Sequence, residues 1–256
     1  LNHAEYDNTK YTPYEKLISQ YNDGWQLSNK IYGSLTWDGR NYVSAIPYGY
    51  VLSASLTYAG GALGGLSNYN KISLSGSVYR SVFQFGGNDG EKKKNIILGL
   101  SSEVDFMLPQ YWLYGDRTGW QDPKMGATKY EMLYIDGMNI GRGFSVVYDQ
   151  AFLWNNQIDL TYPLAEDVLS VEAFASATGV HSDLASLNGL SSINWYMAGG
   201  VGLKMEIPGF PLGLYLVKNA TIKDGEGWKW QNGALFSNKS EGSGLSLVLA
   251  ITTSIY

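Results

Sequence analysis

The feature that most constrains this chain is a two-residue alternation of apolar and polar side chains, sustained over long segments. In 191–207, Ile193, Trp195, Met197, Gly199, Val201, Leu203, Met205 and Ile207 alternate with Asn194, Tyr196, Ala198, Gly200, Gly202, Lys204 and Glu206. In 143–163, Tyr148, Phe152, Trp154, Ile158, Leu160 and Tyr162 oppose Asp149, Asn155, Gln157, Asp159 and Thr161. In 94–108, Ile96, Leu98, Leu100, Val104, Phe106 and Leu108 oppose Gly99, Ser101, Glu103 and Asp105. Successive side chains of a strand point to opposite faces, so each segment is a strand with one apolar and one polar side.

The same reading gives about nine strands, over 29–38, 48–59, 69–85, 94–108, 143–163, 168–180, 191–207, 212–222 and 244–256. Several exceed the ~5–6 residues usual in globular sheets. They reach the ~9–11 that a tilted strand needs to cross a bilayer. No run of ~18 apolar residues is present, so no transmembrane helix is expected. A barrel needs none, because only alternate residues face lipid. The fold expected is all-β, an antiparallel transmembrane β-barrel with about 8–10 strands in one domain over 1–256. A soluble β-sandwich also alternates. Strand length argues against it, as do aromatics near strand ends (Tyr48, Tyr58, Trp154, Tyr162, Trp195), where an interfacial girdle would lie. The connections 163–167 and 208–211 read as tight turns, whereas 109–142, 180–190 and 223–243 are long and polar. That asymmetry matches short periplasmic turns and long extracellular loops. Residues 1–25 read as a loop, with a short helix capped by Thr12, Pro13 and Glu15.

Composition removes several function classes. The net charge of −5 argues against nucleic acid as a partner. The absence of Cys removes disulfides, thiolate metal sites and Cys nucleophiles. The two histidines, His3 and His181, fall in a tail and a loop, and neither is placed for the Ser–His or Asp–His arrangement at the barrel wall that an outer-membrane phospholipase or protease needs. His181 with Asp183 gives too few ligands for a metal. No enzyme, cofactor or metal is expected. Glu91–Lys94 reads as a solvated turn. Leu1–Lys10 is polar and is not a signal peptide. An outer-membrane protein needs one, so the chain reads as processed or truncated.

The long loop 109–142 ends in Asp136-Gly-Met-Asn-Ile-Gly-Arg-Gly-Phe144, directly before a strand. Asp38-Gly-Arg-Asn41 through Pro47-Tyr-Gly49 reads as a strand-to-strand turn, and Gly202-Leu-Lys-Met-Glu-Ile-Pro-Gly-Phe-Pro-Leu-Gly213 as a strand–turn–strand. The last segment carries Leu245, Leu247, Leu249, Ile251 and Ile255 on one face and closes on Tyr256. In this order these features resemble the barrel domain of the outer-membrane protein assembly factor family, the BamA type, over roughly residues 25–256. The resemblance implies the last nine or so strands of a sixteen-stranded barrel. It implies a loop tip of Gly137, Arg142, Gly143 and Phe144 folded back into the lumen, and a C-terminal seam strand of Leu245, Leu247, Leu249, Ile251 and Tyr256. The implied function is insertion of β-barrel proteins into the bacterial outer membrane through a lateral seam. The implied partners are outer-membrane lipids, nascent outer-membrane proteins and periplasmic assembly lipoproteins. The readings set against it are a passive porin-type pore and a two-partner secretion transporter, a related barrel that also carries an arginine-tipped loop. The chain departs from the family at Gly141, where an apolar β-branched residue is usual, and at Ser176, which stands where the family places an acid.

Arg142 also allows a physical expectation. A guanidinium inside a barrel is costly unless paired, and a carboxylate is its natural partner. Alternation puts Asp159 and Glu172 on the polar faces of the next two strands. The expected pairing is Arg142 with Asp159, with Glu172 standing in for the missing acid.

Overall fold

A computed structural model describes residues 27–42, 47–65, 67–85, 94–109, 126–127, 131–165, 168–184, 186–207, 210–223, 226–238 and 240–251. The helix expected near Thr12, together with Ile255 and Tyr256, lies outside them.

The alternating segments fold as strands. They are β1 (Lys30–Asp38), β2 (Asn41–Tyr42), β3 (Pro47–Ala59), β4 (Tyr69–Phe85), β5 (Lys94–Pro109), β6 (Leu133–Ile135), β7 (Val147–Gln150), β8 (Phe152–Ala165), β9 (Leu169–His181), β10 (Asn194–Ile207), β11 (Phe210–Ile222), β12 (Lys229–Trp230) and β13 (Ser246–Ile251). Eleven of these form one antiparallel sheet in the order β1-β3-β4-β5-β8-β9-β10-β11-β12, with β13 also on β11 and β2 on β3. β6 and β7 form a separate hairpin inside the long loop.

The strand expected from residue 143 begins at Phe152 instead. Asp149 adopts φ 62°, which re-aims the chain, and 147–150 pairs with β6 rather than with the main sheet. In the antiparallel order the three longest connections, after β5, β9 and β11, leave from one end of the sheet and the two shortest, after β8 and β10, from the other, while those after β1, β3 and β4 are of similar length. This is the asymmetry expected from the sequence.

The sheet is not closed. Among the described residues β1 pairs in the main sheet only with β3, and β13 only with β11. Following the antiparallel order across the nine long strands, β1 and β13 run in the same direction, from the long-loop end to the short-turn end. Joining them directly would need a parallel ladder.

Register sorts the side chains. One face carries Leu35, Leu52, Leu74, Leu100, Ile158, Val201 and Leu214, all exposed. The opposite face carries Ser34, Thr36, Ser53, Ser55, Ser73, Ser75, Ser77, Ser101, Glu103, Asp105, Gln157 and Asp159. This second face is concave. Ala59 on β3, Tyr69 on β4, Met107 on β5, Leu153 on β8, Val180 on β9 and Tyr196 on β10 share one buried cluster with Met132, Leu133 and Ile135 of the long loop. Strands five ladder spacings apart, roughly 24 Å on a flat sheet, meet the same short loop segment only if the sheet wraps around it.

Candidate functional site: a loop tip locked into the concave face

The loop tip is built locally first. Asp136 Oδ1 accepts hydrogen bonds from the backbone N–H of Met138 (2.8 Å), Asn139 (2.9 Å) and Ile140 (2.8 Å). An aspartate that satisfies its own following amides fixes a tight turn. Gly143 N–H donates to Gly137 O at 2.9 Å and Phe144 N–H to Gly141 O at 3.1 Å, closing the turn. Gly141 has φ 65°, and a Cβ there would stand 2.5 Å from Ile135 Cγ2. A larger side chain therefore has no room at this position without moving Ile135, and glycine also suits the positive φ.

From that turn Arg142 enters the concave face, only 5% exposed. Its backbone carbonyl accepts from Asn219 Nδ2 at 2.7 Å, which ties the tip to β11. Its guanidinium lies 4.5 Å from the Phe174 ring centroid on β9 and 4.4 Å from that of Tyr215 on β11. Nη1 then donates to Glu172 Oε1 at 2.9 Å, and Glu172 is likewise 5% exposed. Phe144 packs edge-on against Tyr196, with ring centroids 5.1 Å apart.

The strand between the two rings explains how they fit. Register places Gly200 opposite Phe174 and Val217, and Gly202 opposite Glu172 and Tyr215. A Cβ on Gly200 would be 3.1 Å from the Phe174 ring, and one on Gly202 would strike the Tyr215 ring. The two rings meet edge to face, with centroids 5.5 Å apart, and the bare backbone of β10 is the floor on which this pair and the guanidinium above it rest. Cation–π contacts of this kind are each worth about 0.5–2 kcal/mol, more when desolvated.

The expected partner Asp159 does not take Arg142. Its carboxylate accepts from Gln157 Nε2 at 3.0 Å and leans over β5, where a Cβ on Gly99 would collide with it. It is also one strand further from the tip, behind its register partner Phe174. Glu172 sits beside the Phe174–Tyr215 pair and is one methylene longer than an aspartate, and it is the carboxylate that reaches the guanidinium. The bond is made end-on through Nη1, and Arg142 Nε has no hydrogen-bond partner among the described residues.

Of the seam residues, Leu247 and Leu249 are exposed on the apolar face of β13, and Ile251 pairs in register with Leu212. Leu245 bridges to Leu235 just before β13 begins. Among the described residues no group of three or more His, Asp or Glu is placed to hold a metal. His181 Nδ1 accepts from the backbone N–H of Asp183 at 3.1 Å, a local turn contact.

Sequence reasoning missed Phe174, Tyr215, Asn219 and the glycine floor. The signal was available, since alternation puts Phe174 and Tyr215 among small and polar residues on the inward face. Comparison with family models, with curated proteins and with solved structures returns no match for this chain.

Proposed function

We propose that this chain is part of a transmembrane antiparallel β-barrel of a bacterial outer membrane, working as a protein insertase with its long loop docked in the lumen. The observation that carries the reading is the buried Arg142 tip, held by Glu172 on a face that carries rows of polar side chains beside the apolar cluster packed on the loop, while the opposite face of the same strands is apolar and exposed. A soluble protein rarely leaves a contiguous apolar surface of this extent in water.

Height supports the same reading. Trp154 and Tyr162 on β8, like Tyr50 and Tyr58 on β3, lie eight residues apart on the outward row. At ~3.3 Å per residue that is roughly 26 Å along the strand, or about 20 Å after a ~40° tilt. This is close to the apolar band of an outer-membrane barrel. The direction of the edges adds a requirement: an antiparallel closure needs an odd number of further strands between β13 and β1. The edge at β13 offers unpaired backbone groups on which a client strand can add by β-augmentation.

Two measurements test the reading. Nitroxide labels at Leu100, Val201 and Leu214 of lipid-reconstituted protein should be quenched by lipid-soluble relaxation agents, and labels at Ser75 and Ser101 by water-soluble ones; the reverse pattern ends the membrane reading. A photo-crosslinker at Leu247 or Leu249 should capture nascent β-barrel proteins in cells. Failure to capture them, with steady single-channel conductance instead, points to a passive pore. Capture of one dedicated secreted partner points to a two-partner transporter.

A further inference from the structure

A second carboxylate of the long loop is also held out of water. The Glu131 side chain is 4% exposed. It accepts from Ser67 Oγ at 2.8 Å to each of its oxygens and from Ser28 Oγ at 3.3 Å, and it pairs with Lys30 Nζ at 2.5 Å. Ser67 is fully buried, and the Lys30 ammonium lies 5.6 Å from the Tyr69 ring centroid. The backbone joins in, with Asn68 N–H donating to Gly126 O at 2.5 Å.

These partners belong to the start of β1 and the β3–β4 connection, whereas those of Arg142 belong to β9 and β11. Glu131 and Arg142 stand eleven residues apart in one loop. In the sheet their anchor strands β1 and β9 are separated by β3, β4, β5 and β8. β1 is exposed along its whole length, and among the described residues β3 is the one strand paired with it in the main sheet. We infer that residues 131–142 form a strap with a buried ionic latch at each end, and that Glu131 is the positioning residue that couples edge strand β1 to the Arg142 site. The strap holds the curvature of the sheet. Breaking either latch strands a desolvated charge, so each resists release, and release at one end slackens the segment that the other end holds. The inference stands on these contacts whether or not the sheet spans a bilayer.

Amide exchange on the purified full chain tests it, with Glu131→Gln and Glu172→Gln compared side by side. Coupling requires E131Q to speed exchange by about tenfold or more at 30–38 and also at the tip, 136–144, where no contact was altered. E172Q must speed exchange at 30–38 in turn, and Glu131→Asp, which keeps the charge, should restore part of the protection. Changes confined to the mutated end, in either variant, overturn the strap. If E131Q does not fold, Lys30→Met and Ser67→Ala leave the carboxylate with its remaining donors and allow the same comparison.

Discussion

Replacing Arg142 by alanine is the sharpest test of the site. Arg142 and Glu172 are both nearly inaccessible, and a buried carboxylate stripped of its partner costs about 3–5 kcal/mol. The stacking lost against Phe174 and Tyr215 overlaps with that figure rather than adding to it, because all three contacts are made by one guanidinium. A loss of about 3–5 kcal/mol is expected, more than a hundredfold in the docked-to-released equilibrium at about 1.4 kcal/mol per decade. The assay is urea unfolding of the refolded protein for Arg142→Ala, Glu172→Gln and Arg142→Met/Glu172→Gln. The double variant removes both charges, so it should recover much of the loss, giving a coupling energy of at least about 1.5 kcal/mol. Arg142→Lys keeps the charge but loses the delocalised guanidinium that reaches both rings and Glu172 at once, and should fall in between. A loss below about 1 kcal/mol for Arg142→Ala, or a double variant equal to the sum of the singles, would show that the pair is solvated and the latch argument is mistaken.

Further variants separate the neighbours of the site. Asp159→Asn should leave tip protection within about 0.5 kcal/mol of the parent, in contrast to Glu172→Gln, as read by exchange at 140–146. Gly143→Ala places a Cβ 2.7 Å from Asn219 Oδ1 at φ 82°, and should cost about 1–3 kcal/mol by the same unfolding assay. Lys218, on the outward face, donates to the carbonyls of Gln231 (3.0 Å), Gly242 (2.5 Å) and Gly244 (2.7 Å). Lys218→Met should therefore speed limited proteolysis within 231–244, and unchanged cleavage would show that those bonds do not hold the excursion between β12 and β13.

Most of the sheet was legible because the forces that shape it are periodic. Alternation located β3, β4, β5, β9 and β10 to within three residues at either end, since burial of one face is written into every second residue. It failed at 143–151, where apolar Val146 and Tyr148 continue the pattern but Asp149 turns the backbone and 147–150 pairs inside the loop. No two-residue period reports which neighbour a strand will choose. The site was half legible. Arg142 and Glu172 could be nominated from chemistry and face. The preference for Glu172 over Asp159 depends on where each carboxylate leans, which is set by the bare backbone of Gly99 and by Gln157. Such contacts between strands distant in sequence leave no mark on a local pattern. Open edges were equally hidden, because strand direction emerges only when the whole order is known.

The cradle also shows why a cation, rather than an apolar plug, fixes the depth of the loop. The apolar residues Met132, Leu133 and Ile135 fill the upper part of the concavity, but hydrophobic contact is nondirectional and tolerates several registers. A guanidinium does not, because away from a carboxylate it pays for its lost hydration. Glu103, Asp105 and Asp159 also face inward, and Asp159 likewise stands opposite a glycine, Gly99, but its own carboxylate fills the space there, whereas at the glycine opposite Glu172 the space is left to an aromatic ring. Gly202 opposite Glu172 makes that space, Tyr215 occupies it, and the Arg142 guanidinium lies 4.4 Å from the ring centroid, where charge and ring coincide. Specific seating therefore arises from a missing side chain on β10 as much as from the two charges. An isoleucine at Gly202, which would look ideal for a strand by propensity alone, would evict Tyr215 and leave Glu172 without the surface that orients its partner.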